Sequence, residues 1–474
     1  MALERIKTTI QNERAKPAMP TGGIHATPGR ALAPAAVGHP TQHTMVIHPG
    51  QPEGVALGIY AKSADISPEI ASKTRAFETY AAERSHRFSL QHHIAGLLSK
   101  HAAKMRAAAD PDDAKAAKRW KRPRVSHCWW TAQGQTVQVI RSTRKTASGG
   151  KTRRARFGGL QTCGSVWVCP CCSGHISEMR RMQLNALLAW ARKEGYAVVM
   201  LTLTTRHGKG DSLPDLLNAM KAAKRTWGAS YAYKTIKANS LIGTVTATEV
   251  TGGGANGWHP HFHMLMLLKL PSQAEALTAA ETLRQPWLDA MQKHGLTGSG
   301  VAFDVRGASA AGEYVGKWGA AEEITLAGKK RGSSGGMTPM QLADASMQGD
   351  KKAGALFVEY ANTFHGARQL VWSRGLKDLA GVDDATDEQI AEDAARLADE
   401  TEDETLLGEL PPDAWQSVRG HRGRLLERCE EPGPDPLGSA VREIQGYAAA
   451  PPPPVLTMSA IASALGINST KGPP

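Results

Sequence analysis

The sequence predicts an α+β protein built on a ferredoxin-like split βαβ: an antiparallel sheet with helices on one face and the other face left free for a ligand. Three observations carry that prediction. Between Tyr196 and Trp318, strand-like and helix-like runs follow one another in the order β-α-β-β-α-β-α. Two of the strand-like runs are separated only by GGGANG, a turn-forming stretch of hairpin length. At 474 residues the chain has length for two or three domains, so burying a core is no difficulty.

Each element has a local cause. Residues 175–194 read as a helix stopped by Gly195, a residue suited to the left-handed conformation at a helix end. YAVVMLTLTT, residues 196–205, is β-branched and apolar over a strand's length. Ser212 offers a side-chain oxygen to cap a helix, with Pro214 in its first turn and an end near Gly228. LIGTVTATEVT (241–251) and WHPHFHMLMLL (258–268) are the hairpin strands. A helix over 272–294, a strand over 301–305 and a short helix over 309–318 complete the order.

Outside this centre, residues 1–65 are rich in Pro, Gly, Ala and Thr and read as a flexible lead. Residues 66–124 form a helical segment ending in a basic cluster of Lys115, Lys118, Arg119, Lys121, Arg122 and Arg124 around Trp120. Residues 125–195 are a cysteine-rich, zinc- and DNA-binding segment, in which RSTRKTASGGKTRRAR (141–156) reads as a basic, glycine-containing loop. The catalytic domain is 196–320 and its C-terminal extension 321–384; residues 385–474 read as an acidic and Pro-rich tail, mostly flexible with short helical pieces.

Charge narrows the choice of partner. The net charge is +13, yet residues 381–413 hold 13 acidic residues and one basic residue, Arg396, so the rest carries +25. Such an excess points to a polyanion, nucleic acid first. The candidate phosphate contacts are Lys118, Arg119, Lys121, Arg122, Arg124, Arg153, Arg154 and Arg156. No apolar run approaches the roughly 18 residues of a membrane span. The opening MALERIKTTIQNERAKPAMP has charges where a signal peptide needs an apolar stretch. The reading is a cytoplasmic protein without a membrane partner.

Three groups of residues carry chemistry. His259, His261 and His263 alternate along one strand and so project from one face. Glu249, on the preceding strand, comes beside His259 or His261 across the hairpin. One carboxylate and two imidazoles hold a divalent ion and leave positions open for substrate oxygens. Tyr314 and Lys317, three residues apart, share a helical face. A phenol, with a pKa of about 10, needs help as a nucleophile, and both a lysine and a metal-polarised phosphate give it. Six cysteines, four of them between Cys163 and Cys172, argue for metal over disulfides in a cytoplasmic chain. Cys169 and Cys172 form the C-x-x-C knuckle of a structural zinc site, with Cys163 as third ligand and Cys128 as fourth; Cys171 or His175 could replace one of them.

With these pieces placed, residues 124–384 resemble the HUH endonuclease superfamily, and within it the plasmid rolling-circle replication initiators. YAVVMLTLTTRH resembles the first motif of that family and HPHFH the second, which makes His261 and His263 the metal ligands with Glu249 as third. EYVGKW resembles the third motif, with Tyr314 as nucleophile and Lys317 as its companion. LQTCGSVWVCPCC is similar to the cysteine segment of plasmid initiators, and VWSRGLKDL to their tail.

The resemblance implies a metal-dependent nick at the double-strand origin, catalytic Mg²⁺ or Mn²⁺, and structural Zn²⁺. It also implies origin DNA, single-stranded or in a hairpin, as substrate, with a host helicase and DNA polymerase as partners. His259 is an alternative ligand or a neighbour of the ion. Some relatives carry a glutamate one turn before the tyrosine, proposed to serve termination; Ala310 stands there in this chain, and Glu313 points to another side of the helix. The resemblance therefore supplies residues for the nick and none for termination. Two other readings stay open: another enzyme of the superfamily, either a conjugative relaxase or a single-strand transposase, and a non-enzymatic, zinc-stabilised DNA-binding regulator.

Overall fold

A computed structural model of the chain describes residues 68–110, 113, 120–145, 151–254, 256–307, 309, 336–397 and 404–449. Two units are separated, Met1–Thr74 and Arg75–Pro474, and the architecture below is that of the second. No helix among the described residues is long and apolar enough to cross a membrane.

Helix α1 (Pro68–Ala107) is followed by strands β1 (Val137–Lys145) and β2 (Lys151–Gly158) and by helix α2 (Pro170–Lys193). The central run is β3 (Ala197–Leu203), α3 (Leu213–Gly228), α4 (Tyr231–Asn239), β4 (Leu241–Gly254), β5 (Gly257–Leu268), α5 (Gln273–Glu281), α6 (Arg284–Lys293) and β6 (Phe303–Arg306). Then come α7 (Pro339–Met347), α8 (Lys351–Thr363), β7 (Leu370–Trp372), α9 (Leu376–Ala380) and α10 (Asp387–Leu397). The described chain ends with β8 (Glu404–Leu410), α11 (Pro412–Val418), α12 (Arg422–Glu430) and α13 (Pro436–Ala449). The class is α+β, as expected.

The main sheet has the order β6-β3-β5-β4-β7, antiparallel at every step. β5 lies between β3 and β4, and β3 lies between β5 and β6, so each helical connection passes over an inserted strand. Ser212 caps α3 by accepting from the Asp215 amide, and Ser272 caps α5 in the same way through Glu275. The helix expected over 272–294 is two helices. Pro286 has no N–H and its ring clashes with the carbonyl four residues back, so α5 cannot run on into α6.

Both faces of this sheet are covered at one end, where a free face was expected. Leu201, Leu203, Phe262, Met264 and Met266 pack on one side with Leu217, Met220, Trp227 and Trp287 from the α3 and α6 layer. On the other side Leu184, Leu187 and Ala191 of α2 meet Val198, Met200, Val245, Leu265 and Leu267. The cause is legible in β5 itself: HPHFH alternates, but MLMLL is apolar at every position, the pattern of a strand buried on both faces. Only the histidine end of that second face lies beyond the α2 contacts.

Two further expectations need correction. The stretch 141–156, expected as a loop, supplies the ends of β1 and β2, which pair antiparallel from Gln138↔Gly158 to Lys145↔Lys151. Residues 404–449, expected within a mostly flexible tail, build β8 and three helices, completing a second sheet of order β2-β1-β8. Val137, Val139, Phe157, Leu410, Trp415, Leu425 and Leu426 form its core. Three carboxylates of the acidic stretch pair with basic residues elsewhere in the fold: Asp387 with Arg180 at 2.6 Å, Glu388 with Arg124 at 2.9 Å, Glu404 with Arg156 at 3.0 Å. Charges that repel one another along the chain become cross-links once it folds. The residues of the N-terminal lead before 68, and those after 449, lie outside the described residues.

Candidate metal centres and nucleic-acid interface

The β4–β5 register sets Glu249 directly opposite His261, and Ala247 opposite His263. All four side chains therefore share one face, and the small alanine leaves room beside His263. Oε2 of Glu249 lies 3.2 Å from Nε2 of His261 and 3.6 Å from Nε2 of His263. One ligand atom from each of the three residues falls within 4.8 Å of the others. From β3, Oγ1 of Thr202 meets Nδ1 of His263 at 3.1 Å. With an ion in place of the proton between Nε2 and Glu249, Nδ1–H donated to that hydroxyl would leave the Nε2 lone pair aimed at the metal, the orientation a ligand requires. Burial favours a neutral Glu249, but hydrogen bonds from His261 and His263 outweigh it and hold the carboxyl well below its ordinary range. A carboxylate and two imidazole lone pairs converging in this way fit a divalent ion. Nδ1 of His261 is buried with no hydrogen-bond partner among the described residues.

His259 stands apart from that group. Its Nδ1 faces Nε2 of His207 at 2.6 Å, and Nδ1 of His207 meets the Asn256 carbonyl at 2.8 Å. A carbonyl only accepts, so Nδ1 of His207 donates, and its Nε2 in turn accepts from Nδ1–H of His259. Burial lowers the His259 pKa to about 4, helped by the neighbouring His261 and His207, so the ring stays neutral. The loop after β3 reaches this position because Gly257, at φ 77°, has no Cβ: one there would sit 2.7 Å from the Gly208 carbonyl. His207, the last residue of TLTTRH, is a site residue that the strand and motif patterns alone do not mark.

Cys128, Cys163, Cys169 and Cys172 are all buried and form a second cluster. Sγ of Cys172 lies 3.4 Å from that of Cys128 and 3.8 Å from that of Cys163, and the Cys169–Cys128 separation is 3.5 Å. A tetrahedron of zinc–sulfur bonds of about 2.3 Å has edges of about 3.8 Å, so the four thiols fit the ion with little movement. Cys169 occupies the N-cap position of α2 without a side-chain cap hydrogen bond, and Cys172 lies in its first turn, near the positive end of the helix dipole. Neither Cys171 nor His175 joins the group.

Of the candidate phosphate contacts, Lys121 and Arg122 are exposed, while Arg124 and Arg156 are the partners of Glu388 and Glu404. Arg153 and Arg154 are half-buried on β2. Lys118 and Arg119 lie outside the described residues, as do Ala310, Glu313, Tyr314 and Lys317. VWSRGLKDL is placed: its first residues, with Leu370, form β7, where Trp372 lies opposite Val245, and its last form most of α9.

Residues 156–287, which include the Cys163–Cys172 segment and the Glu249–His263 hairpin, match the family model described as replication protein. The "Protein rep" of Streptomyces lividans is 26% identical over 386 residues, covering 65% of this chain and 84% of that protein. A "Neomycin resistance protein" of Streptomyces cyanogenus is 32% identical over 136 residues, covering 23% of this chain and 31% of that protein. No solved structure matches the chain. The resemblance to plasmid replication initiators that the motifs carry holds.

Proposed function

We propose that this chain initiates rolling-circle replication by nicking one strand at a plasmid's double-strand origin. The observation that carries the reading is the convergence of Glu249, His261 and His263 on one face of a hairpin, inside the region that matches replication proteins. The interleaved strand order β6-β3-β5-β4 supports the ferredoxin-like sheet of the HUH endonucleases as the scaffold.

Glu249, His261 and His263 would hold Mg²⁺ or Mn²⁺, which would orient the scissile phosphate and offset the charge that develops on it. Thr202 fixes the His263 ring for that task. Tyr314 attacks phosphorus: the Oη–P bond forms, the P–O3′ bond breaks, the phenolic proton passes to solvent, and the departing 3′ oxygen takes a proton from solvent. Lys317 stabilises the phenolate character of Tyr314. The products are a 5′-phosphotyrosine link and a free 3′-OH, from which a host polymerase extends behind a host helicase. The phosphodiester energy stays in the link, so strands are rejoined without ATP. Cys128, Cys163, Cys169 and Cys172 would hold Zn²⁺ in a closed, structural site.

The deciding experiment is a denaturing-gel assay on single-stranded candidate-origin DNA, with wild type and Tyr314→Phe, each with Mn²⁺ or EDTA. A protein–DNA adduct that needs both the ion and the hydroxyl is expected. An adduct with the Phe variant would move the nucleophile elsewhere, and tight binding without any adduct would favour a regulator.

A further inference from the structure

The second sheet carries a feature that the nicking reading leaves unused. Between Asp113 and Glu178 the chain has no acidic residue and 13 basic ones, a number equal to the net charge of the whole protein. β1 and β2 lie within this stretch. Among the described residues, β8 pairs with β1 only as far as Ser142. Beyond it the two strands continue as a ribbon through Thr143↔Arg153, Arg144↔Thr152 and Lys145↔Lys151.

Basic side chains at the base of the ribbon are engaged. Arg156 pairs with Glu404 at 3.0 Å, and Arg141 donates to the carbonyls of Cys429 and Glu431 at 3.5 and 3.3 Å. Further out, Lys151 is exposed, and neither the Lys151 nor the Arg153 side chain has a hydrogen bond or ion pair among the described residues. The register puts Arg153 and Lys151 on one face of the ribbon. The fold thus neutralises the base of the ribbon and leaves positive charge further along it.

We propose that the β1–β2 ribbon binds the duplex part of the origin from within the major groove, with Lys151 and Arg153 on the phosphates of its walls. The proposal rests on the reading of the chain as an origin-binding protein. Two strands about 4.8 Å apart, with their side chains, match a groove about 12 Å wide. Single-stranded DNA fits this element poorly. Its binding sites stack bases on aromatic rings, and residues 141–156 contain no His, Phe, Tyr or Trp before Phe157. Duplex RNA fits no better, because its major groove is deep and narrow. The ribbon also lies almost wholly outside the segment that matches the replication-protein family, residues 156–287. Duplex binding and strand scission are therefore assigned to separate sheets.

The test uses the full chain and the double variant Lys151→Gln/Arg153→Gln. Affinity is measured by fluorescence anisotropy, over a salt series, for a candidate-origin hairpin, an unpaired oligonucleotide from the same region and an RNA hairpin. Duplex affinity is expected to fall about tenfold or more. Its logarithmic salt slope should become shallower by about 2, one phosphate contact per charge removed, with the unpaired probe changing far less. A Thr152→Cys variant carrying a photo-crosslinker should attach to the duplex arm, which guards against a misfolded double variant. Unchanged duplex affinity, equal losses on both DNA probes, or tighter binding of the RNA hairpin overturns the proposal. Adduct formation is read separately: duplex binding through Lys151 and Arg153 without an adduct would leave the ribbon standing and remove the nicking mechanism.

Discussion

Nε2 of His207 lies 2.6 Å from Nδ1 of His259, and this contact turns His259 toward a loop and away from the carboxylate shared by His261 and His263. Three histidines of one strand face thus divide into two that share the Glu249 carboxylate and one that does not. His259→Ala is expected to keep Mn²⁺ affinity within about tenfold, as for loss of a group behind the ligands. His261→Ala and His263→Ala should each lose far more. Isothermal titration of the three variants checks this, and a loss with His259→Ala equal to that with His261→Ala would make His259 a ligand.

The ligand geometry was legible because strand alternation and a short hairpin turn dictate which side chains share a face. Those two facts put Glu249 beside His259 or His261, and the register selects His261. The packing of α2 on the same face lies behind MLMLL, where an apolar run has the length of a strand and also the composition of one buried on both sides. The second sheet was missed for a different reason. RSTRKTASGGKTRRAR and the acidic stretch each look unfoldable alone, and their charges make sense only when Arg156 meets Glu404 across 248 residues. His207 was missed because its partners, His259 and the Asn256 carbonyl, come from a different strand and its turn.

Arg422 ties the C-terminal helices to the cysteine cluster. Arg422 is 3% exposed, and its guanidinium donates to the Trp129 carbonyl and to Gln91 and stacks on Phe88 and Trp130 at 4.7 and 4.9 Å. Trp129, next to Cys128, holds the strained φ of 51°. A tetrathiolate site with Zn²⁺ carries a formal charge of about −2, and a buried cation beside it offsets part of that. Arg422→Met is therefore expected to weaken zinc retention about tenfold or more against a chromogenic chelator. Retention equal to wild type would show that the arginine serves packing alone.

Arg84 and Glu430 form a buried pair at 2.6 Å, their side chains 7% and 0% exposed, and Glu430 also accepts from the Ala155 amide at 2.9 Å. The pair joins α1, α12 and β2. Arg84→Met leaves a buried carboxylate without its cation and is expected to cost about 3–5 kcal/mol. Arg84→Met/Glu430→Gln should recover part of that loss. A double-mutant cycle by urea denaturation measures the coupling, and additive losses would mean the two residues act independently.

Lys224 lies on the helical side of the main sheet, donating to Oγ1 of Thr246 at 2.8 Å beneath the Phe262 ring. Burial lowers its pKa from 10.5 to about 8. The sign follows from linkage: the unfolded chain binds this proton more tightly than the folded one, so stability rises with pH between these two values. Below about pH 8 both states are protonated, and the folded state bears the full cost of a buried ammonium, on the order of 3 kcal/mol. Lys224→Met keeps the aliphatic stem and removes the charge, while leaving the Thr246 hydroxyl without its donor, a loss of about 1 kcal/mol. The variant is expected to be more stable than wild type by roughly 1–2 kcal/mol at pH 7. That advantage should shrink steadily above pH 8 and reverse once the wild-type lysine is neutral in both states. Urea denaturation of both proteins from pH 6.5 to 10 gives the difference directly; a difference that does not change with pH would mean that Lys224 binds its proton equally well in the folded and unfolded states, as a solvated lysine does.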